Sequence, residues 1–218
     1  MLELSPCSQK WIWNMIFVRI PKNASTSIYS HLGELNLIKR HEKFFHDALF
    51  KKKLYKGWFS PTHAKPDEIY SVFGNLAKNY MSFAVVRNPF DRAVSMFQFG
   101  KENKLGNLYG ESNDLSFENF CEIMKEKHLN KEKDFIAIHS QTEWLEGAFQ
   151  PNFVLRFENL RKDFQEMLDT CQIKHINSNI PHENSSQRLN YKNYYNNKTK
   201  KIIAKIFEKD VDTFKYLY

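Results

Sequence analysis

Short apolar runs alternate with longer segments of helical periodicity along this chain. Met15 to Ile20 is a β-rich apolar run, and Pro21 ends it because proline has no N–H to offer a sheet ladder. Asn23 to Ser27 then reads as the turn and first residues of a helix that continues through Ile28, Tyr29 and Leu32. Tyr80 to Val86 is a second run, aromatic and β-branched and too continuous for a half-exposed strand. Pro89 disfavours helical geometry at Asn88, so the chain turns there before a helix carrying Ala93, Val94 and Phe97. A strand, a sharp turn and a helix, twice over, is the pattern of a parallel α/β sheet.

Other segments fill in that architecture. Residues 36–59 show no clear period and read as irregular with one short helix, whereas Pro66-Asp67-Glu68 opens a helix through Ile69 and Val72 and leaves His63 in the loop before it. Gly100 to Asp114 reads as a loop and Ser116 to Lys127 as a helix; Asn152 to Phe157 is a third strand. The helix after it sets Leu160, Phe164, Met167, Leu168 and Cys171 in one stripe facing the sheet. Ile173 to Tyr195 is loop-like. Lys198 to Tyr216 predicts one C-terminal helix with lysines opposite its apolar face, docked on the core because Glu208, Asp210 and Asp212 dilute the charge a membrane surface needs. The expectation is one domain over 1–218: α/β, three-layer, with a central parallel sheet flanked by helices.

Composition narrows the class. With 218 residues, 42% hydrophobic, the chain supports one sizeable core. A formal charge of +7 admits nucleic acid, a membrane surface or smaller anions as partners, and the lysines sit scattered or in short runs such as Lys51-Lys52-Lys53. Cys7, Cys121 and Cys171 are too widely spaced for a disulfide framework or a metal site, and the eight histidines form no ligand pair. No apolar run reaches the roughly 18 residues of a spanning helix and no signal-peptide pattern opens the chain, so a cytoplasmic protein is expected.

The candidate chemistry lies at the strand ends. A helix start leaves backbone N–H groups unpaired with partial positive charge, and the small residues Asn23, Ala24, Ser25, Thr26 and Ser27 let an anion approach them. Lys22 adds a full charge. The run is not a Walker loop, since no glycine lies between Met1 and Ser30, and taken alone it fits an ordinary capped helix equally well. Arg87, directly after the second strand, and Ser95 offer a second anion anchor, because ligands of open α/β sheets sit at the carboxyl ends of strands and the guanidinium fork suits phosphate. Two anchors imply a ligand with phosphate at two places.

Pro21-Lys-Asn-Ala-Ser-Thr-Ser27 together with Val86-Arg-Asn-Pro-Phe-Asp-Arg-Ala-Val-Ser95 resembles the sulfotransferases that use 3′-phosphoadenosine 5′-phosphosulfate (PAPS). The resemblance runs closest to carbohydrate sulfotransferases of the heparan sulfate 2-O-sulfotransferase group and their bacterial relatives. It implies a P-loop-like sulfotransferase fold, with 5′-phosphosulfate on the first motif, the 3′-phosphate on Arg87 and Ser95, no metal, and a hydroxyl acceptor of carbohydrate type. Thr62-His63-Ala64 resembles the segment that carries a histidine base, and His182 to Arg188 a loop closing over the nucleotide, so Ser186 (or Ser185) and Arg188 join the site by resemblance. Lys215 departs from the family, standing where a glycine precedes an aromatic.

On this reading Lys22 stabilises the leaving oxygen and His63 takes the acceptor proton, although a loop histidine that only caps the next helix is the competing role, and Glu68 and His46 are alternative bases. Gln141 and Trp144 are candidates for acceptor contact, Trp144 also for the core. Two rivals stay open: a kinase-like phosphotransferase on a related fold, against which the missing Walker residues count, and a non-enzymatic basic binder of RNA or anionic glycan, against which the lack of an interleaved aromatic and basic platform counts. Neither nucleic acid nor a membrane span is expected, and oligomeric state is left open.

Overall fold

Met15–Val18, Met81–Val86 and Phe153–Arg156 form strands β1, β2 and β3 of a parallel sheet in that spatial order. In this computed structural model the described residues are 15–34, 63–103, 115–174, 176–180 and 189–218. They gather into two compact units, one drawn from Met1–Val86 and Trp144–Asn184, the other from Arg87–Glu143 and Ser185–Tyr218.

The first unit holds the sheet. Its register places Phe17 opposite Phe83 and Phe83 opposite Phe153, and since side chains alternate along a strand, these residues share a face with Met15, Met81, Val85 and Leu155. Helix α1 (Ser25–Glu34) lays Ile28 and Leu32 on that core. Helices α2 (Pro66–Phe73) and α3 (Leu76–Asn79) lead into β2, and in chain order across both units α4 is Pro89–Glu102, α5 Phe117–Leu129 and α6 Leu160–Thr170. From α6, Phe164, Met167 and Leu168 cover the same sheet face, the predicted stripe. Phe83 sits at the centre: its ring stacks on Phe17 at 4.6 Å and meets the edge of Phe164. Every residue of β2 is buried, Ala84 and Val86 on the opposite face included, which explains why its sequence reads as an unbroken apolar run.

The second unit is helical. Phe90, Val94 and Phe97 of α4 pack with Phe120, Cys121 and Met124 of α5 and with Ile203 and Phe207 near the C-terminus. Side chains cap the helices as their sequences suggest: Asn88 Oδ1 accepts from Phe90 N at the start of α4, and Ser116 Oγ accepts from Asn119 N at the start of α5.

Two expectations change here. Helix α4 continues through Gly100 to Glu102, past the expected loop start. The single C-terminal helix is two, α7 (Asn197–Ile206) and α8 (Glu208–Phe214), broken at the buried Phe207, whose φ of −107° and ψ of 27° depart from helical values. Neither glycine nor proline marks that break in the sequence. At the end of α8, Lys215 adopts φ 55° and ψ 39°, the left-handed conformation that glycine usually supplies, while Tyr216 N donates to Val211 O at 3.2 Å. Lys215 thus takes a left-handed turn although it is not glycine. The lysine face is matched by acids: Lys198 Nζ lies 3.0 Å from Glu118 and 2.9 Å from Glu122, and Lys205 Nζ 2.8 Å from Glu208.

Candidate active site

β1 stops at Val18, two residues short of the end of its apolar run, and the chain turns through Arg19 to Ala24 into α1. Lys22 and Ala24 both take left-handed backbone, with φ of 67° and 57°. Non-glycine residues pay roughly 1–2 kcal/mol each for this conformation, so it persists only where the surroundings impose it, commonly at functional turns. One imposing contact is visible: buried Asn23 donates from Nδ2 to the Val85 carbonyl at 2.7 Å, pinning the turn to the end of β2. Ala24 accepts the first intrahelical bond from Ile28 N at 3.0 Å, yet it has no side-chain oxygen to cap the first-turn amides. Left-handed residues before a helix start are one way a chain presents backbone amides to an anion. Lys22 is half-buried beside it, Ser25 and Ser27 are buried, and Thr26 is exposed.

His63 joins this turn through its backbone. Its Nδ1 lies 2.8 Å from the Arg19 carbonyl, and since a carbonyl only accepts, Nδ1 carries a proton, and in the neutral ring Nε2 is the nitrogen that can accept one. The loop around His63 is fixed from the other side: Trp144 Nε1 donates to the His63 carbonyl at 2.9 Å, and the Lys65 ammonium lies 5.0 Å from the Trp144 ring centre. One turn on, Asp67 Oδ1 accepts from Ala148 N at 2.6 Å. Gly147, at φ 135°, permits that approach; a Cβ there would lie 2.7 Å from Asp67 Oδ1. Glu68, the alternative base, caps α2, its Oε2 accepting from Lys65 N at 2.7 Å.

In the second unit, Arg87 is buried and its guanidinium is turned by Asp91, with Nε 2.7 Å and Nη2 2.6 Å from Asp91 Oδ2. Ser95 lies one turn beyond Asp91 on the same face of α4, half-exposed. Gln141 and Trp144 are both buried, which puts Trp144 in the core, the alternative weighed for it, and leaves Gln141 no exposed surface for acceptor contact. Gln141 spends its amide on Arg87 and Asp210, and Trp144 spends its indole N–H on His63. Arg92, fully buried, donates from Nη1 to His139 O at 2.9 Å; burial lowers its pKa to about 10, which leaves it charged at neutral pH. Desolvation raises the pKa of Asp210, against the pull of Arg92 and the hydrogen bonds it accepts. Ser185, Ser186, Arg188 and His46 lie outside the described residues. No cluster of metal-ligating side chains occurs among the described residues, and no helix among them is long and apolar enough to cross a membrane.

Sequence reasoning missed Arg19, Asp91 and Asp210. Only Asp91 carried a readable signal, its spacing of four from Arg87, the spacing of a helical ion pair.

The first strand of the parallel sheet thus runs into a basic, serine-rich turn with left-handed backbone, and a histidine is anchored to that turn. The sulfotransferase family model matches residues 13–217, and the chain belongs to that family. No curated protein and no solved structure matches it. Sulfuryl transfer is accordingly its general chemistry.

Proposed function

We propose that the chain transfers the sulfuryl group of PAPS to a hydroxyl of a carbohydrate acceptor. The observation that carries this reading is the turn after β1, where Lys22 and Ala24 hold left-handed backbone at the mouth of α1 and His63 is anchored to the same turn. When bound, PAPS supplies the activated sulfuryl group. Lys22 and the amides of Asn23, Ala24, Ser25, Thr26 and Ser27 meet the negative charge that grows on the departing oxygen, a role worth roughly 3–4 kcal/mol for a preorganised donor. His63 removes the acceptor proton through Nε2 while Nδ1 stays on Arg19, so the ring keeps one orientation through the transfer. Arg87, its fork turned by Asp91, and Ser95 take the 3′-phosphate. Ser186 and Arg188 belong to this reading through the family resemblance alone. The net charge of +7 suits an anionic glycan, whereas the pairing of the C-terminal lysines with Glu118, Glu122 and Glu208 counts against a nucleic-acid stripe.

Thermal unfolding with 3′-phosphoadenosine 5′-phosphate tests the donor. At a hundred times its dissociation constant a native-state ligand adds about 2.7 kcal/mol, or about 5–10 °C for a chain of this size. A shift with ATP and none with the bisphosphate would point to the kinase-like reading. Labelled sulfate transfer from PAPS to a panel of oligosaccharides, lipids and small alcohols tests the acceptor; transfer to lipids or alcohols alone contradicts the carbohydrate assignment.

A further inference from the structure

Arg87 follows the last ladder position of β2, Val86 opposite Arg156, so its own peptide groups have no further strand residue to meet. Buried peptide groups need partners. Gln141 supplies them: Arg87 N donates to Gln141 Oε1 at 2.8 Å, and Gln141 Nε2 donates to Arg87 O at 2.9 Å. A carboxamide paired with a peptide through both bonds imitates the closely spaced pair of antiparallel strands and fixes the plane of the backbone it holds. Gln141 is braced in turn. Asp210 Oδ2 accepts from Gln141 N at 2.9 Å and from Gln141 Nε2 at 3.2 Å, and Asp210 Oδ1 accepts from Thr142 N at 3.2 Å. Gln141 and Asp210 are both 0% exposed, and the buried Arg92 offsets the carboxylate charge.

We propose that Gln141, braced by Asp210, is a positioning residue for Arg87 and thereby sets the preference for nucleotides that carry a 3′-phosphate. The inference rests on the proposed nucleotide role of Arg87. The guanidinium has two settings to satisfy, its fork from Asp91 and its backbone origin from Gln141, and a shift of either moves the donors away from a phosphate. Asp210 carries the second setting back to α8, so the C-terminal helix contributes to the site without touching ligand.

Titration calorimetry with 3′-phosphoadenosine 5′-phosphate and with adenosine 5′-monophosphate, which lacks the 3′-phosphate, tests this on the full chain. Gln141→Ala is expected to weaken the bisphosphate about tenfold while the monophosphate changes less than about twofold. Met124→Ala, in the apolar core of the same unit, is a matched destabilised control and is expected to alter neither affinity. Asp210→Asn serves as the second variant where Gln141→Ala does not fold, with the same selective loss at smaller size. Parallel weakening of both nucleotides, or unchanged bisphosphate affinity in both variants, overturns the proposal. A wild-type protein with no preference for the bisphosphate overturns the nucleotide reading along with it. A preference lost in Arg87→Ala and kept in Gln141→Ala overturns the positioning role alone.

Discussion

Replacing Ala24 with glycine tests whether the turn after β1 is strained as the structure has it. At φ 57° an alanine bears roughly 1–2 kcal/mol that glycine does not. Glycine loses about 0.5–1 kcal/mol more backbone entropy on folding, and the half-buried methyl contributes about 0.4 kcal/mol, half the value of a fully buried methylene. The terms nearly cancel, so Ala24→Gly is expected to leave stability within about 0.5 kcal/mol of wild type. Ala204, half-buried inside α7, is the control, because Ala204→Gly loses about 1 kcal/mol of helix propensity and a similar methyl contribution with no strain to relieve. The two variants should therefore separate by about 1–2 kcal/mol in urea unfolding, roughly 2–8 °C in Tm. Equal losses at both positions would mean that the turn is not left-handed, and the anion concavity built on it would fall.

Three further outcomes follow from the geometry. His63→Ala is expected to lower sulfate transfer by about a hundredfold or more while affinity for 3′-phosphoadenosine 5′-phosphate holds; unchanged turnover would leave His63 as a loop histidine that anchors Arg19. Desolvation holds the folded pKa of Asp210 above 3.8, so the native state binds that proton more tightly than the unfolded chain, and stability falls as pH rises from 3.8 through the folded value. The difference in urea midpoint between wild type and Asp210→Asn, followed with pH, should show that downward slope, and an upward slope would contradict it. Burial pushes the Cys121 thiol up to about 12, so peptide mapping after alkylation near pH 8 should find Cys121 unmodified in the native protein and modified after unfolding.

Strand and helix positions were legible because burial on both faces of β2, and the stripe on α6, write directly into residue type. The turn after β1 was legible as a strand-to-helix turn but not as a conformation. Nothing in Lys22 or Ala24 announces positive φ, and one contact that holds their turn, the Asn23 tether to Val85, spans sixty-two residues of sequence. The same reason hid the Gln141 amide and the Trp144 indole, whose partners Arg87 and His63 lie fifty-four and eighty-one residues away and whose types suit a surface contact as well as a buried clamp. Lys215 shows the converse: the expected glycine is missing, yet the left-handed turn forms, because the bonds to Val211 O hold it.

The proposed role of Lys22 and its turn in sulfuryl transfer stands or falls on the rate of labelled sulfate transfer from PAPS by wild type and by Lys22→Ala, at saturating donor and with matching unfolding curves. Wild type is expected to transfer sulfate and the variant to lose about a hundredfold or more. Near-normal turnover in a folded Lys22→Ala protein would contradict it.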